Sequence, residues 1–135
     1  MLKPSSDAKT QNWAAVSSLS MPGLILHLEG LAVFLGSVAL YIDQGWNGFV
    51  FAVLLFAPDL AMLGYLRDAR IGARIYNVFH FYALPLALLI GAFGAGNAAV
   101  MQIAAIWLAH IGLDRALGFG LKYETDFKDT HLQRV

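Results

Sequence analysis

The sequence predicts an all-α polytopic membrane protein, a four-transmembrane-helix bundle running up-down-up-down with both ends in the cytoplasm. Three observations carry this. Apolar residues make up 59% of the 135 and charged residues only 13%, whereas a soluble domain has roughly a quarter charged. Four apolar stretches each approach the ~20 residues needed to cross a bilayer as a helix. The basic residues, finally, are segregated between alternate breaks in the chain, and positive charge is retained on the cytoplasmic side.

Residues 1–23 read as a cytoplasmic tail. Lys3 and Lys9 come early, but no apolar core of signal-peptide length precedes Pro22; Trp13 to Leu19 is expected at the membrane surface. The four spans fall at Leu24–Ile42, Gly48–Leu66, Ala73–Phe93 and Ala98–Leu117, the last extending to Leu121. The breaks at Asp43–Asn47, Arg67–Gly72 and Gly94–Asn97 are short, so neighbouring helices are expected antiparallel. All nine basic residues lie in the N-terminal tail, around the second break (Arg67, Arg70, Arg74) or at the C-terminal end (Arg115, Lys122, Lys128, Arg134). A soluble bundle would need one polar face per helix, and Leu31–Leu40, Phe49–Ala57 and Ala83–Ala92 have none. Residues 24–121 therefore form the transmembrane domain and 122–135 a cytoplasmic segment.

The functional groups are few. There is no cysteine, which excludes disulfides, thiolate metal sites and cysteine nucleophiles. A net charge of zero gives no reason to expect nucleic acid as a partner. Within the spans, however, stand Glu29, Asp59, His80, His110 and Asp114, with Asn77 beside them. Ionisable groups inside a bilayer cost a few kcal/mol or more and so call for a reason. Counted from the cytoplasmic ends of the spans at ~1.5 Å per residue, Glu29, Asp59, His80 and His110 fall at a common depth of roughly 7–12 Å, with Asp114 one turn nearer the cytoplasm. His110 and Asp114 are four apart and share a helix face, as do Asn77 and His80, three apart; Tyr76 borders the same stripe. Pro58 and Pro85 each remove a helical donor, freeing the carbonyls of Leu54 and Phe81.

Three readings compete for this layer. The polar groups hold helices together, at around 0.6 kcal/mol each. Alternatively they ligate a metal, since two imidazoles with carboxylates suit iron, manganese or zinc. Or they relay protons or a coupling ion, as in transporters. Haem between His80 and His110 is weaker, because carboxylates would press on its apolar faces. His27 reads as interfacial, Asp43 as a turn residue, and Trp46 and Trp107 as interface anchors. The segment from Gly118 onward is rich in aromatic and charged residues. It either lies on the membrane surface or forms a lid over the polar layer, with Lys122, Lys128 or His131 touching a substrate.

Particular strings carry a resemblance: Leu28-Glu29-Gly30, Ala57-Pro58-Asp59-Leu60, Leu63-Gly64-Tyr65, Tyr76-Asn77-x-x-His80-x-Tyr82-x-x-Pro85, Trp107-Leu-Ala-His110-Ile-Gly-x-Asp114-Arg115, Gly118-x-Gly120-Leu-Lys-Tyr123 and Phe127-Lys-Asp-Thr-His131. Over residues 24–132 the chain resembles a bacterial family of small integral membrane proteins, domain of unknown function 4260. The resemblance implies no activity, but it does imply that polar layer and tail both belong to the family pattern.

The resulting expectation is a multi-pass protein of the bacterial inner membrane. It binds a divalent transition metal through Glu29, Asp59, His80, His110 and Asp114, with Tyr76, Asn77 and Arg115 in support. Its substrate is expected to be a lipid or other hydrophobic small molecule. The alternatives are an oligomeric proton- or ion-coupled transporter and an accessory subunit of a membrane complex.

Overall fold

The computed structural model describes residues 20–135; the surface segment expected at Trp13–Leu19 lies outside them. Among the described residues the chain is helical, with four segments long and apolar enough to cross a membrane: Met21–Asp43, Gly48–Leu66, Ala69–Gly94 and Ala98–Leu117. Large apolar side chains cover the outside, among them Leu35, Phe49, Leu63, Ile90 and Phe93, all more than half exposed. Exposed apolar surface on this scale needs an apolar solvent. The chain is built as a membrane protein.

The first span, α1 (Met21–Asp43), begins three residues before the expected Leu24. The Ser20 hydroxyl accepts from the Gly23 N–H, and Pro22 occupies the first turn, where no donor is needed. The last span, α5 (Ala98–Leu117), is capped by the Asn97 side chain and ends on Gly118, at φ 96°. It is the central helix: half of its apolar window is buried, against 17% for α1.

The two middle spans correct the expectation of uninterrupted helices. In the second, α2 (Gly48–Leu54) stops four residues before Pro58, and Ala57–Leu66 continues as a 3-10 helix. Proline cannot donate to the Leu54 carbonyl and its ring crowds it, so the α-helix cannot run on through this position. In the third, α3 (Ala69–Phe79) and α4 (Ala83–Gly94) are separated by an irregular His80–Tyr82. Pro85 does not produce that break by losing a bond. It sits in the first turn of α4, whose N–H groups have no intrahelical partner in any case.

Helices α1 and α4 pack on α5, while α3 packs on the 3-10 segment. The α1–α5 crossing depends on two glycines. A Cβ on Gly30 would lie 2.3 Å from the Arg115 Cβ, and one on Gly112 would lie 2.6 Å from the Phe34 nitrogen. Small residues let helix backbones approach in a membrane, where packing replaces the hydrophobic effect. Gly112→Ala is therefore expected to cost about 1–3 kcal/mol, read as a fall in thermal midpoint in detergent. Gly36→Ala, with open space around it, should be neutral or mildly stabilising. Equal effects at the two sites would remove the close crossing as the cause.

Candidate metal centre

The break between α3 and α4 frees carbonyls, and three of them find a side chain. The His80 N–H bonds to the Asn77 carbonyl, leaving that of Tyr76, which lies 2.8 Å from His80 Nδ1. A carbonyl only accepts, so this nitrogen carries the proton and the Nε2 of the neutral ring is left bare. The Phe79 carbonyl accepts from Trp107 Nε1 at 2.7 Å and that of His80 from Arg115 Nη2 at 2.6 Å. Trp107, expected as an interface anchor, ties α5 to the break. The Tyr76 ring stacks on the imidazole with centroids 3.7 Å apart, fixing its plane as well as its tautomer.

The bare Nε2 of His80 points at His110 Nε2, 3.0 Å away. Asp59 Oδ1 lies 3.5 Å from the first nitrogen and 3.3 Å from the second. Asp114 Oδ2 lies 3.5 and 3.4 Å from them. All four donor atoms fall within 4.8 Å of one another and could hold a metal ion. Both histidines are buried, at 0% and 1% exposure, while the Asp59 side chain is 31% exposed and that of Asp114 15%. The centre therefore opens on its Asp59 side.

The spacing decides what this cluster suits. A tetrahedral ion with bonds of about 2.0–2.1 Å separates its ligands by about 3.3 Å. Five of the six separations span 3.0–3.5 Å, and the sixth, between the two carboxylates, lies within 4.8 Å. Without a cation, two imidazole nitrogens and two carboxylate oxygens would face one another with too few protons to share. The second coordination layer is half built. His80 has its Tyr76 carbonyl, and the Tyr76 hydroxyl reaches Asp114 Oδ2 at 3.4 Å. His110 Nδ1 is buried without a hydrogen bond. The Leu55 carbonyl is freed nearby, because its usual donor, the Asp59 N–H, bonds to Phe56 instead.

Glu29, expected in the same layer, stands outside this cluster. It is exposed and lines a separate cavity with Tyr82, Arg115 and His131. Helix α1 thus contributes no group to the centre. Asn77 does not reach it either: its side-chain amide binds the tail, accepting from the Lys122 N–H at 2.7 Å and donating to the Lys122 carbonyl at 2.8 Å.

The C-terminal segment folds back on the bundle. Glu124 pairs with Arg74 at 2.6 Å and Arg70 at 3.4 Å, and Arg134 pairs with Asp129. Lys122 is buried, donates to the Phe127 carbonyl and lies over the Phe127 and Tyr76 rings. Burial lowers its pKa. Lys128 is exposed. His131 Nδ1 accepts from the Leu121 N–H at 2.8 Å, a bond that only an unprotonated nitrogen can accept. Burial and the Arg115 guanidinium lower its pKa below the usual value. Below about pH 6.5 the detached tail would bind a proton that the docked tail resists, so docking should weaken as pH falls through that window. Cleavage of the tail by a soluble protease should accelerate on going from neutral pH to pH 5.5. The same acceleration in His131→Gln would place its origin elsewhere, since glutamine does not titrate.

No curated protein and no solved structure matches this chain. The resemblance drawn from the strings around Asp59, His80 and His110 is matched over residues 23–135, and the chain belongs to the family described as domain of unknown function DUF4260.

Proposed function

We propose that the protein is a membrane-embedded metalloprotein, with Asp59, His80, His110 and Asp114 ligating a divalent iron, manganese or zinc ion that acts on a hydrophobic molecule. The observation that carries this is the convergence of four lone-pair-bearing atoms, all within 4.8 Å of one another, at two buried imidazoles, one with its tautomer set for ligation. A metal held there can polarise an oxygen, activate water or support redox chemistry. Exchange with substrate or water would occur beside Asp59, the most exposed member.

The substrate class is supported by a cavity of about 300 Å³ between the two helix breaks and α5, lined only by apolar or aromatic residues that include Leu54, Pro58, Phe79 and Ile106. Pro58 and Phe79 directly precede the ligands Asp59 and His80, and Phe56 meets the His110 ring edge-on. A hydrocarbon chain in that cavity would lie beside the centre without leaving the bilayer.

We place the protein in the bacterial inner membrane as an up-down-up-down bundle with both ends in the cytoplasm, on the segregation of its nine basic residues. A reporter fused after Val135 should be cytoplasmic and one inserted near Gly45 or Gly96 periplasmic; the opposite result would invert the bundle. The test of the metal reading is elemental analysis of the purified protein.

A second reading, an ion- or proton-coupled transporter working as an oligomer, rests on the two broken spans. Discontinuous helices place coupling sites at their breaks in such proteins. Proton flux in liposomes, abolished by Asp59→Asn, is its test. An accessory role in a larger membrane complex is the outcome left if neither metal nor flux is found.

A further inference from the structure

Glu29, Tyr82, Arg115 and His131 surround a cavity of about 260 Å³ outside the metal cluster, bordered also by Leu26 and Phe81. It lies where α1 begins and α5 ends, roofed by the folded-back tail. Three features mark it as a built site. Glu29 forms no ion pair among the described residues, although a carboxylate within a membrane span is costly without a partner. The Arg115 side chain is 95% buried by its 5% exposure, yet carbonyls occupy only two of its five donors, through Nη1 and Nη2. Tyr82 borders both this cavity and a neighbouring apolar one, and its hydroxyl is buried with no partner.

The two charges oppose each other across one cavity without meeting, so a ligand that satisfies both must itself carry both signs. Arg115 offers a guanidinium fork, which matches a phosphate or carboxylate. Tyr82 adds a hydroxyl donor. The neutral His131 ring, with Nδ1 occupied by Leu121, presents its other N–H. Glu29 accepts from an ammonium. An anion alone would leave Glu29 unpaired and add repulsion, whereas a bare cation would be opposed by Arg115.

We propose that this cavity binds a compact zwitterion bearing an anionic oxygen group and a primary ammonium, the chemistry of a phosphoethanolamine headgroup. Its phosphate sits on Arg115 and Tyr82 and its ammonium on Glu29. Bound there, it joins α1, α5 and the tail through a residue that also holds the His80 carbonyl. The site does not depend on metal occupancy.

The full chain is purified in detergent and presented with equimolar phosphatidylethanolamine, phosphatidylglycerol and phosphatidylcholine, and retained lipid is read by native mass spectrometry. Phosphatidylethanolamine should be retained roughly tenfold over the other two, the discrimination of one charge-assisted contact. Phosphatidylglycerol lacks the ammonium, and the quaternary ammonium of phosphatidylcholine cannot donate to Glu29. Glu29→Gln should erase that preference, and Tyr82→Phe should weaken retention of both phosphatidylethanolamine and phosphatidylglycerol. His80→Ala should keep the preference even if metal is lost, which separates this site from the centre. Displacement by millimolar soluble phosphoethanolamine would identify the free zwitterion as the occupant; resistance to it would identify the lipid. No preference in the wild type, or a preference untouched by Glu29→Gln, overturns the proposal.

Discussion

Replacing His80 or His110 by alanine is expected to strip the protein of its metal. Wild-type protein purified at neutral pH should carry one zinc, iron or manganese ion per chain. Each alanine removes one of two nitrogen ligands from a set of four and should weaken binding by more than the 10–100-fold typical of outer-layer changes. Carboxylates alone prefer magnesium or calcium, so the nitrogen ligands decide which metal remains. Tyr76→Phe supplies the outer-layer comparison, since its hydroxyl touches Asp114 without reaching the centre; it should cost about tenfold. Ligation requires deprotonated groups, so wild-type occupancy should fall as pH drops through the histidine range, near 6.5 for an unperturbed imidazole. Protein that is metal-free as isolated, and gains no thermal stability from any added divalent ion, would sink the reading.

What the sequence made legible here was depth along the helices, and what it hid was direction around them. Hydropathy and a count from the helix ends give Glu29, Asp59, His80 and His110 one expected depth, and of these Asp59, His80 and His110 converge while Glu29 does not. Which way each points depends on packing. Glu29 is one residue from Gly30, which packs against the backbone of α5, and one residue of rotation, about 100° for 3.6 residues per turn, turns it from that contact toward the second cavity. The His110–Asp114 pair was readable because both groups sit on one helix, four apart. Pro58 marked a lost bond at Leu54 without showing that α2 would stop there, and nothing local announced the ten-residue 3-10 continuation, which sets the position of Asp59. The His80–Tyr82 break was hidden for the opposite reason. Its freed carbonyls are satisfied by Trp107 and Arg115, 28 and 35 residues away, and pairs that distant leave no periodic trace. The docked tail rests likewise on Asn77 and Lys122, 45 residues apart. Its aromatic and charged composition marked it as more than a disordered end without saying where it would land.

In the metal-free protein, His110→Ala and Asp114→Ala should be strongly non-additive. Oδ2 of Asp114 lies 3.4–3.5 Å from both imidazole nitrogens, so either single substitution leaves the remaining groups facing one another with a partner gone. Breaking a fully buried charged pair costs about 3–5 kcal/mol; partial exposure of both carboxylates brings the expected loss below that range. Once one member is absent, removing the second costs less, and a thermal-stability cycle in chelator should return a coupling of about 0.5–3 kcal/mol. The control is His110→Ala with Glu29→Gln. Glu29 lies outside the cluster and faces its own cavity, so those effects should sum within about 0.5 kcal/mol. Chelation matters because a bound metal would couple its ligands through the ion and conceal whether they are coupled directly. Additivity in both cycles would mean that the four side chains act as separate interhelical contacts, each contributing around 0.6 kcal/mol, and would remove the physical basis for a single centre. Coupling in the Glu29 cycle as large as in the Asp114 cycle would mean instead that Arg115, which lines the Glu29 cavity and donates to the His80 carbonyl, transmits between the two sites.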